Sequence, residues 1–218
     1  MFFYTDWYIY LISLHYTSNT MLTKAAKTSK MIIEKVAPIF TSKGYSATSM
    51  SDITQATGLT KGAIYGNFEN KEQLAIAAFQ KNMNDLLKQI AKHQEKGKTP
   101  LQKLYLITDF YRHYDQFSKH LGGCPILNVG VDSNNQENHL LEHVQAVITR
   151  TQHTISKLVA LAQAAGEVKK NIDGDTFSKI LYTRIQGAVF MYQTMGDRNY
   201  LIEATNNIDA IITNELKS

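Results

Sequence analysis

Apolar residues recur at helical spacing along most of the chain. Between residues 28 and 43 they stand at positions 31, 32, 36, 39 and 40, the spacing that places them on one face of a helix. The same period returns in later segments, which glycines and asparagines separate. The predicted long helices cover 28–43, 70–93, 101–118, 137–165, 176–195 and 200–216. Because the chain has only three prolines and long stretches lack both proline and glycine, the sequence predicts an all-α fold.

Two short helices are predicted between the first two long ones. Ser49 or Ser51 has the side chain needed to cap the first of them. Gly58 marks a tight turn, and Thr60 caps the second short helix, which runs through Tyr65. A helix, a glycine-containing turn and a second helix form the helix-turn-helix arrangement, in which the second helix enters the major groove of DNA.

Charge is unevenly distributed along the chain. The formal net charge is +4 over 218 residues, whereas residues 21–92 alone hold ten lysines and five acidic residues, a balance of +5. A basic first third ahead of a nearly neutral remainder is typical of a nucleic-acid-binding head on a core with another purpose. An ordinary solvated surface gives the same charge count, so charge alone does not decide between the two.

The single cysteine, Cys124, excludes an intramolecular disulfide and fits a reducing cytoplasm, which is the expected location. Residues 1–20 are rich in aromatics but lack the cationic start and cleavage site of a secretory signal. Their apolar run is also shorter than the roughly 20 residues that span a bilayer. We interpret this segment as an over-read upstream of a true start at Met21. A peripheral membrane anchor is the alternative, and no membrane partner is expected.

Residues 48–74, TSMSDITQATGLTKGAIYGNFENKEQL, resemble the DNA-binding domain of the TetR family of bacterial repressors. The matching residues are Thr48, Asp52-Ile53, Ala56-Thr57-Gly58, Lys61-Gly62-Ala63-Ile64-Tyr65, Phe68 and Lys71-Glu72-Gln73-Leu74. Upstream, Gly44-Tyr45 and the apolar positions before them resemble the first helix of the family. The sequence departs from the family pattern at Pro38, Thr57 and Gly66-Asn67.

The resemblance implies an architecture and a set of DNA contacts. A three-helix DNA-binding domain would cover 21–72, and a helical ligand-binding and dimerisation domain would cover 73–218. Base edges would be faced by Lys61, Gly62 and Ala63. Phosphates would be contacted by Ser49, Thr60, Tyr65, Asn67 and Lys71. Tyr65 is alternatively a core residue, and Phe68 is expected in the core.

The resemblance also implies a small-molecule effector site and a homodimer. By residue type and position, the candidate effector contacts are Phe110, Tyr111, Tyr114, Phe117, Cys124, His143 and Tyr182. Such an aromatic lining suits flat or lipophilic molecules, although each residue would equally serve as core. Dimerisation is expected through the last two helices, where Gly187 and Ala188 allow close approach.

Two further features carry alternatives. Residues 122–128, GGCPILN, resemble a segment of the LmrA-like branch of the family and place Cys124 at a helix start, where a thiolate is favoured. Cys124 is therefore either a redox or electrophile sensor or a small buried hydrophobe. His139 and His143 have the spacing of a metal pair, but further ligands are not evident and a solvated pair is favoured.

These observations predict a homodimeric repressor that binds palindromic double-stranded operator DNA and is released by a small molecule. No catalytic residue, metal or cofactor is expected. An enzyme with Cys124 as nucleophile is the first alternative, but it leaves the helix-turn-helix unexplained. A nucleoid-type binder without a ligand is the second, and an activating instead of a repressing role stays open.

Overall fold

The computed structural model describes residues 23–134 and 139–218, and this part of the chain is all-α, without strands. Its ten α-helices are α1 (Lys24–Ala47), α2 (Met50–Thr57), α3 (Lys61–Tyr65), α4 (Lys71–Gln94), α5 (Pro100–Arg112), α6 (Tyr114–Ser118), α7 (Pro125–Ser133), α8 (Leu140–Ala164), α9 (Gly174–Met195) and α10 (Asn199–Ile211). A short 3₁₀ turn at Lys119–Leu121 follows α6, and a π-helical turn at Ile212–Leu216 ends the last helix. The predictions for residues 1–20 lie outside the described residues.

Side-chain caps begin most of the helices near the helix-turn-helix. Ser49, not Ser51, caps α2, because its hydroxyl accepts from the Asp52 N–H and the Asp52 carboxylate accepts from the Ser49 N–H. This reciprocal capping box satisfies two backbone donors that the helix leaves unpaired. Thr60 caps α3 and Asn70 caps α4 in the predicted way.

Helix α1 is longer than predicted and is interrupted near its end. It begins after Thr23 instead of residue 28 and contains Pro38 without ending there. Gly44 has φ 82° and ψ 173°, so the helical path breaks at this residue and residues 45–47 form a separate turn. The predicted end of the helix at Gly44 is therefore confirmed for the backbone angles, although the helix assignment continues to Ala47.

The helix predicted at 101–118 is wrong as a continuous element. The structure breaks it at His113, which has φ −111° and ψ 21° and separates α5 from α6. The His113 imidazole Nδ1 lies 3.0 Å from the Asp109 carbonyl oxygen, and its backbone N–H turns to the Phe110 carbonyl. A side chain thus replaces a backbone group as partner of the Asp109 carbonyl, and the break brings Tyr114 into the interior.

The helices pack in two groups that α4 joins. Helix α1 lies mainly against α4 and α7, and α2 packs on α1. In the second group, α9 packs against α8 and α10, and α5 packs against α8, α10 and α4. One continuous cluster of buried side chains runs through both groups, so the helix-turn-helix rests on the same core as the C-terminal helices.

Candidate DNA-binding surface and buried aromatic cluster

Helix α3 presents a small, open face to solvent. Lys61, Gly62, Ala63 and Tyr65 are exposed, whereas Ile64 between them is buried and anchors the helix. A Cβ built on Gly62 would meet no atom of the described residues within 4 Å. A helix with so little side-chain bulk on its outer face can bring its backbone close to base edges in a major groove.

Tyr65 lies on the exposed face and is not a core residue, with 39% of its surface accessible. The Lys61 ammonium lies 5.8 Å from the centre of the Tyr65 ring, so the two side chains are neighbours on this face. Phe68, by contrast, is buried, as expected. The Tyr65 hydroxyl is thus a donor available at the end of α3.

The caps place hydroxyls at the two helix starts that face outward. The Ser49 and Thr60 oxygens accept from backbone N–H groups of α2 and α3. The Ser49 hydroxyl also donates to Asp52 at 2.7 Å, and Lys43 reaches the same carboxylate at 2.6 Å. The hydrogen bond from Lys43, followed by those from Ser49, holds the pKa of Asp52 below its usual range, so Asp52 is ionised at neutral pH.

Asn67 and Lys71 are more constrained than the sequence indicated. The Asn67 amide donates to the Ala63 carbonyl at 2.8 Å and accepts from the Ser29 hydroxyl at 2.9 Å. It therefore ties the end of α3 to α1. Lys71 is half-buried, with its ammonium 4.5 Å from the centre of the Tyr45 ring.

Four of the predicted effector contacts form one aromatic stack, in which Phe117 is partly buried and the other three rings are buried. The Phe110 and Phe117 rings stack with their centres 4.4 Å apart, and the Tyr111 and Tyr114 rings stack at 5.4 Å. Phe110 also meets Tyr111 edge to face. The Tyr114 hydroxyl is fully buried and interacts with the Cys124 thiol, and it makes no other hydrogen bond within the described residues.

Cys124 and Tyr182 extend this stack toward α9. The Cys124 Sγ lies 3.7 Å from the Gln186 Oε1, and Cys124 and Tyr182 each interact electrostatically with Tyr111. We call Phe110, Tyr111, Tyr114, Phe117, Cys124, Tyr182 and Gln186 the aromatic cluster. Gln186 is a member that the sequence did not single out.

The expected thiolate at Cys124 is corrected by the structure. Cys124 occupies the N-cap position of α7 without a side-chain cap hydrogen bond, and the Leu127 N–H, the Tyr114 hydroxyl and the Ile126 N–H favour its charged form. Burial outweighs them and raises the pKa of the thiol, because the interior cannot solvate a thiolate. Cys124 is therefore a neutral thiol in this state.

His143 does not join the aromatic cluster. It lies on α8 with its Nδ1 3.4 Å from the Gln80 side-chain amide on α4. His139 pairs with Glu142 at 3.4 Å on the surface. Across the described part of the chain, no three His, Cys, Asp or Glu side chains come together as a metal site.

None of the described helices is both long and apolar enough to cross a bilayer.

A capped helix-turn-helix with an open second helix, built on an all-helical core, defines a DNA-binding transcriptional regulator. Residues 32–78 match the family model of bacterial regulatory proteins of the tetR family. Residues 100–208 match that of the tetracyclin repressor-like C-terminal domain. The chain belongs to the TetR family of transcriptional regulators. The narrower LmrA-like branch stays a prediction.

Individual relatives agree with this membership. The chain is 23% identical over 172 residues to the HTH-type transcriptional repressor DhaR of Mycobacterium sp. strain GP1, covering 78% of this chain and 84% of the relative. It is 20% identical over 176 residues to the fatty acid metabolism regulator protein of Bacillus subtilis, covering 81% and 88%.

Solved structures show the same fold. A TetR-family regulator from Cytophaga hutchinsonii superposes with a TM-score of 0.85 at 28% identity, covering 90% of this chain and 98% of that one. A TetR regulator from Chloroflexus aurantiacus superposes with a TM-score of 0.84 at 32% identity, covering 89% and 98%.

Sequence reasoning missed the capping role of Asp52 and did not single out Lys43 or Asp132. The pair Ser49 and Asp52 has the spacing of a capping box, a signal that was sufficient to select Ser49 over Ser51. Lys43 binds the Asp52 carboxylate, and Asp132 accepts from the Ser46 N–H. Neither residue has a comparable local signal in the sequence. Asp132 is 86 positions from its partner, so only the folded chain brings them together.

Proposed function

We propose that the chain represses transcription as a homodimer that binds palindromic double-stranded operator DNA and is released by a small molecule. The observation that carries the proposal is the open outer face of α3, on which Lys61, Gly62 and Ala63 are exposed above a buried Ile64. In a dimer, two such helices would lie in successive major grooves, about 34 Å apart along the DNA.

The DNA contacts divide into two kinds in this proposal. Lys61, Gly62 and Ala63 face base edges and give sequence specificity. Tyr65 and Lys71 contact phosphates through a hydroxyl and an ammonium, and the Thr60 hydroxyl contributes at the start of α3. The Ser49 hydroxyl already donates to Asp52, so it reaches a phosphate only by giving up that bond. The Asn67 side-chain nitrogen donates to Ala63 and its oxygen accepts from Ser29, so Asn67 mainly holds α3 in place. A bond from Asn67 to a phosphate would have to share or replace the one to Ala63.

The domain boundary falls at residues 72 and 73, inside the first turn of α4. The DNA-binding head is then 21–72, and the regulatory domain is 73–218. Because α4 runs on from the head for more than twenty residues and packs on α1 and α5, it joins the two domains physically. The head and regulatory domain therefore share one rigid element instead of a flexible linker.

The homodimer is proposed to form through α9 and α10. Ile180, Arg184, Gly187 and Phe190 recur at helical spacing on α9 and are exposed. Phe190, with 53% of its surface accessible, is a large aromatic side chain in contact with solvent. A second copy of the same face would cover it, as the isologous interface of a twofold dimer requires.

The effector is proposed to bind at the aromatic cluster and to be uncharged. Burial raises the pKa of Tyr111, Tyr114 and Tyr182, so these hydroxyls stay neutral and can donate hydrogen bonds. The cluster supplies no ionised side chain, and an unpaired charge inside it would be strongly disfavoured. The Tyr114 hydroxyl, which has only the weak Cys124 thiol as a partner within the described residues, is suited to an acceptor oxygen or nitrogen on a flat, apolar molecule.

The test begins with selection of bound DNA from a random pool. The enriched sequence is then titrated with wild type, with Lys61→Ala, and with Lys157→Ala as a control that removes an exposed lysine from α8. We expect one palindrome, a loss of affinity of about tenfold or more for Lys61→Ala, and no loss for the control. Recovery of no enriched sequence, or equal binding by Lys61→Ala, would contradict the proposal.

A further inference from the structure

Asp132, at the end of α7 in the regulatory domain, contacts the head at the kink of α1. Its carboxylate accepts a hydrogen bond from the Ser46 N–H at 2.8 Å. A Cβ built on Gly44 would lie only 3.0 Å from the Asp132 Cγ. The carboxylate therefore occupies a space that exists because residue 44 is a glycine.

The segment that Asp132 holds leads directly into the helix-turn-helix. The buried Thr48 hydroxyl donates to the Gly44 carbonyl at 2.6 Å, and Ser49 then caps α2. Only two residues separate the Ser46 N–H from this cap. A displacement of Asp132 would thus act on the chain at the point where α2 begins.

The same carboxylate acts on a predicted phosphate contact. Burial lowers the pKa of the Lys71 ammonium, and the charges of Asp132 and Asp52 oppose this and favour its charged form. Lys71 also lies over the Tyr45 ring, next to Ser46. Asp132 therefore bonds the end of α1 and is close enough to the start of α4 for its charge to act on Lys71.

The other end of α7 begins at the aromatic cluster. Cys124 is the N-cap residue of α7 and belongs to the cluster through its interactions with Tyr111 and Tyr114, besides its contact with Gln186. Midway along the helix, the Asn128 amide donates to the Thr41 carbonyl of α1 at 2.8 Å. A helix of nine residues is about 13 Å long and moves as a unit, so a change at Cys124 reaches α1 through Asn128 and Asp132.

We propose that Asp132 is a positioning residue, which fixes the head on the regulatory domain in the operator-binding state, and that α7 connects this contact to the effector cluster. The inference rests on the proposed function. It predicts that loss of the Asp132 hydrogen bond weakens operator binding. Simple electrostatics predicts the opposite, because removal of a negative charge near DNA strengthens its attraction.

The first measurement uses the free protein. Hydrogen exchange of the peptide that contains Ser46 is compared in wild type, Asp132→Ala and Asp175→Ala, a control that removes an exposed aspartate from the start of α9. We expect faster exchange of this peptide in Asp132→Ala only, because the Ser46 N–H then loses the Asp132 carboxylate as its acceptor. Unchanged exchange in Asp132→Ala would overturn the inference.

The second measurement is affinity for the selected operator. Asp132→Asn retains an acceptor oxygen without the charge, so we expect affinity in the order wild type, Asn, Ala, with a total loss of about tenfold. It also keeps the proposal testable if the Ala variant does not fold. Equal or tighter binding by both variants would overturn the inference. If wild type itself selects no operator, the failure belongs to the proposed function instead.

Discussion

Gly44 has φ 82° and ψ 173°, a combination that only glycine adopts without strain. The space for a Cβ is also occupied, since the Asp132 carboxylate lies beside it. We expect Gly44→Ala to lower the free energy of unfolding by about 1–3 kcal/mol through backbone strain, and more if Asp132 is displaced. Urea denaturation of the variant and wild type measures this difference.

Gly166 supplies the matched control for this prediction. It also has a positive φ, 73°, but a Cβ built on it would meet no atom of the described residues within 4 Å. Gly166→Ala should therefore lower stability by about 1 kcal/mol, the strain of a left-handed residue alone. A larger loss for Gly44→Ala is expected from its backbone conformation and from the contact with Asp132 together, and equal losses would contradict both contributions.

At the scale of the helices, Asn82 connects three segments. It is fully buried on α4, and its amide nitrogen donates to the Thr41 hydroxyl of α1 at 2.9 Å and to the Leu121 carbonyl at 3.4 Å. The interaction holds α1 and the turn after α6 on the helix that joins the two domains. Since Asn82 donates to both α1 and the turn after α6, its loss should weaken the attachment of α1.

We expect Asn82→Ala to lower the free energy of unfolding by about 1–3 kcal/mol, because the Leu121 carbonyl loses a donor and a cavity forms. Asn84→Ala, two residues further along the same helix on a half-buried position, controls for the change in side chain. The midpoints of denaturant unfolding give the comparison. Identical midpoints for the two variants would show that the Asn82 contacts do not hold α1.

The helices also show where local sequence is insufficient. The caps at Ser49, Thr60 and Asn70 were readable, because each uses a side chain within three residues of the donor that it satisfies. The break at His113 was not readable. The apolar period of residues 101–118 continues through residue 114. Only the contact of the His113 imidazole with the Asp109 carbonyl interrupts the helix.

For the whole molecule, the exposed face of α9 carries the prediction of a dimer. We expect Phe190→Glu and Ile180→Glu to convert the protein to monomers, because a glutamate buried against its own symmetry mate has no partner charge. Sedimentation velocity over a range of protein concentrations measures the state of association. Operator affinity should fall when the dimer dissociates, since each half-site is then bound by a separate monomer.

Leu161→Glu is the control for this change. Leu161, on α8, and Ile180 are both 41% accessible, so the two variants introduce the same charge at equally exposed apolar positions. The control should stay dimeric. Dimers that persist in the α9 variants would move the interface elsewhere, and a monomeric wild type would contradict the homodimer itself.

The sequence by itself determined the fold class, the helix-turn-helix and the residues that α3 exposes. These follow from helical period, from caps and from a turn glycine, which act over a few residues. Only the tertiary structure decided that Cys124 is a neutral thiol, that His143 lies apart from the aromatic cluster and that Asp132 holds Ser46. The burial of a side chain, and the pairing of Ser46 with Asp132 across 86 positions, depend on how the helices pack. A local sequence pattern therefore cannot predict them.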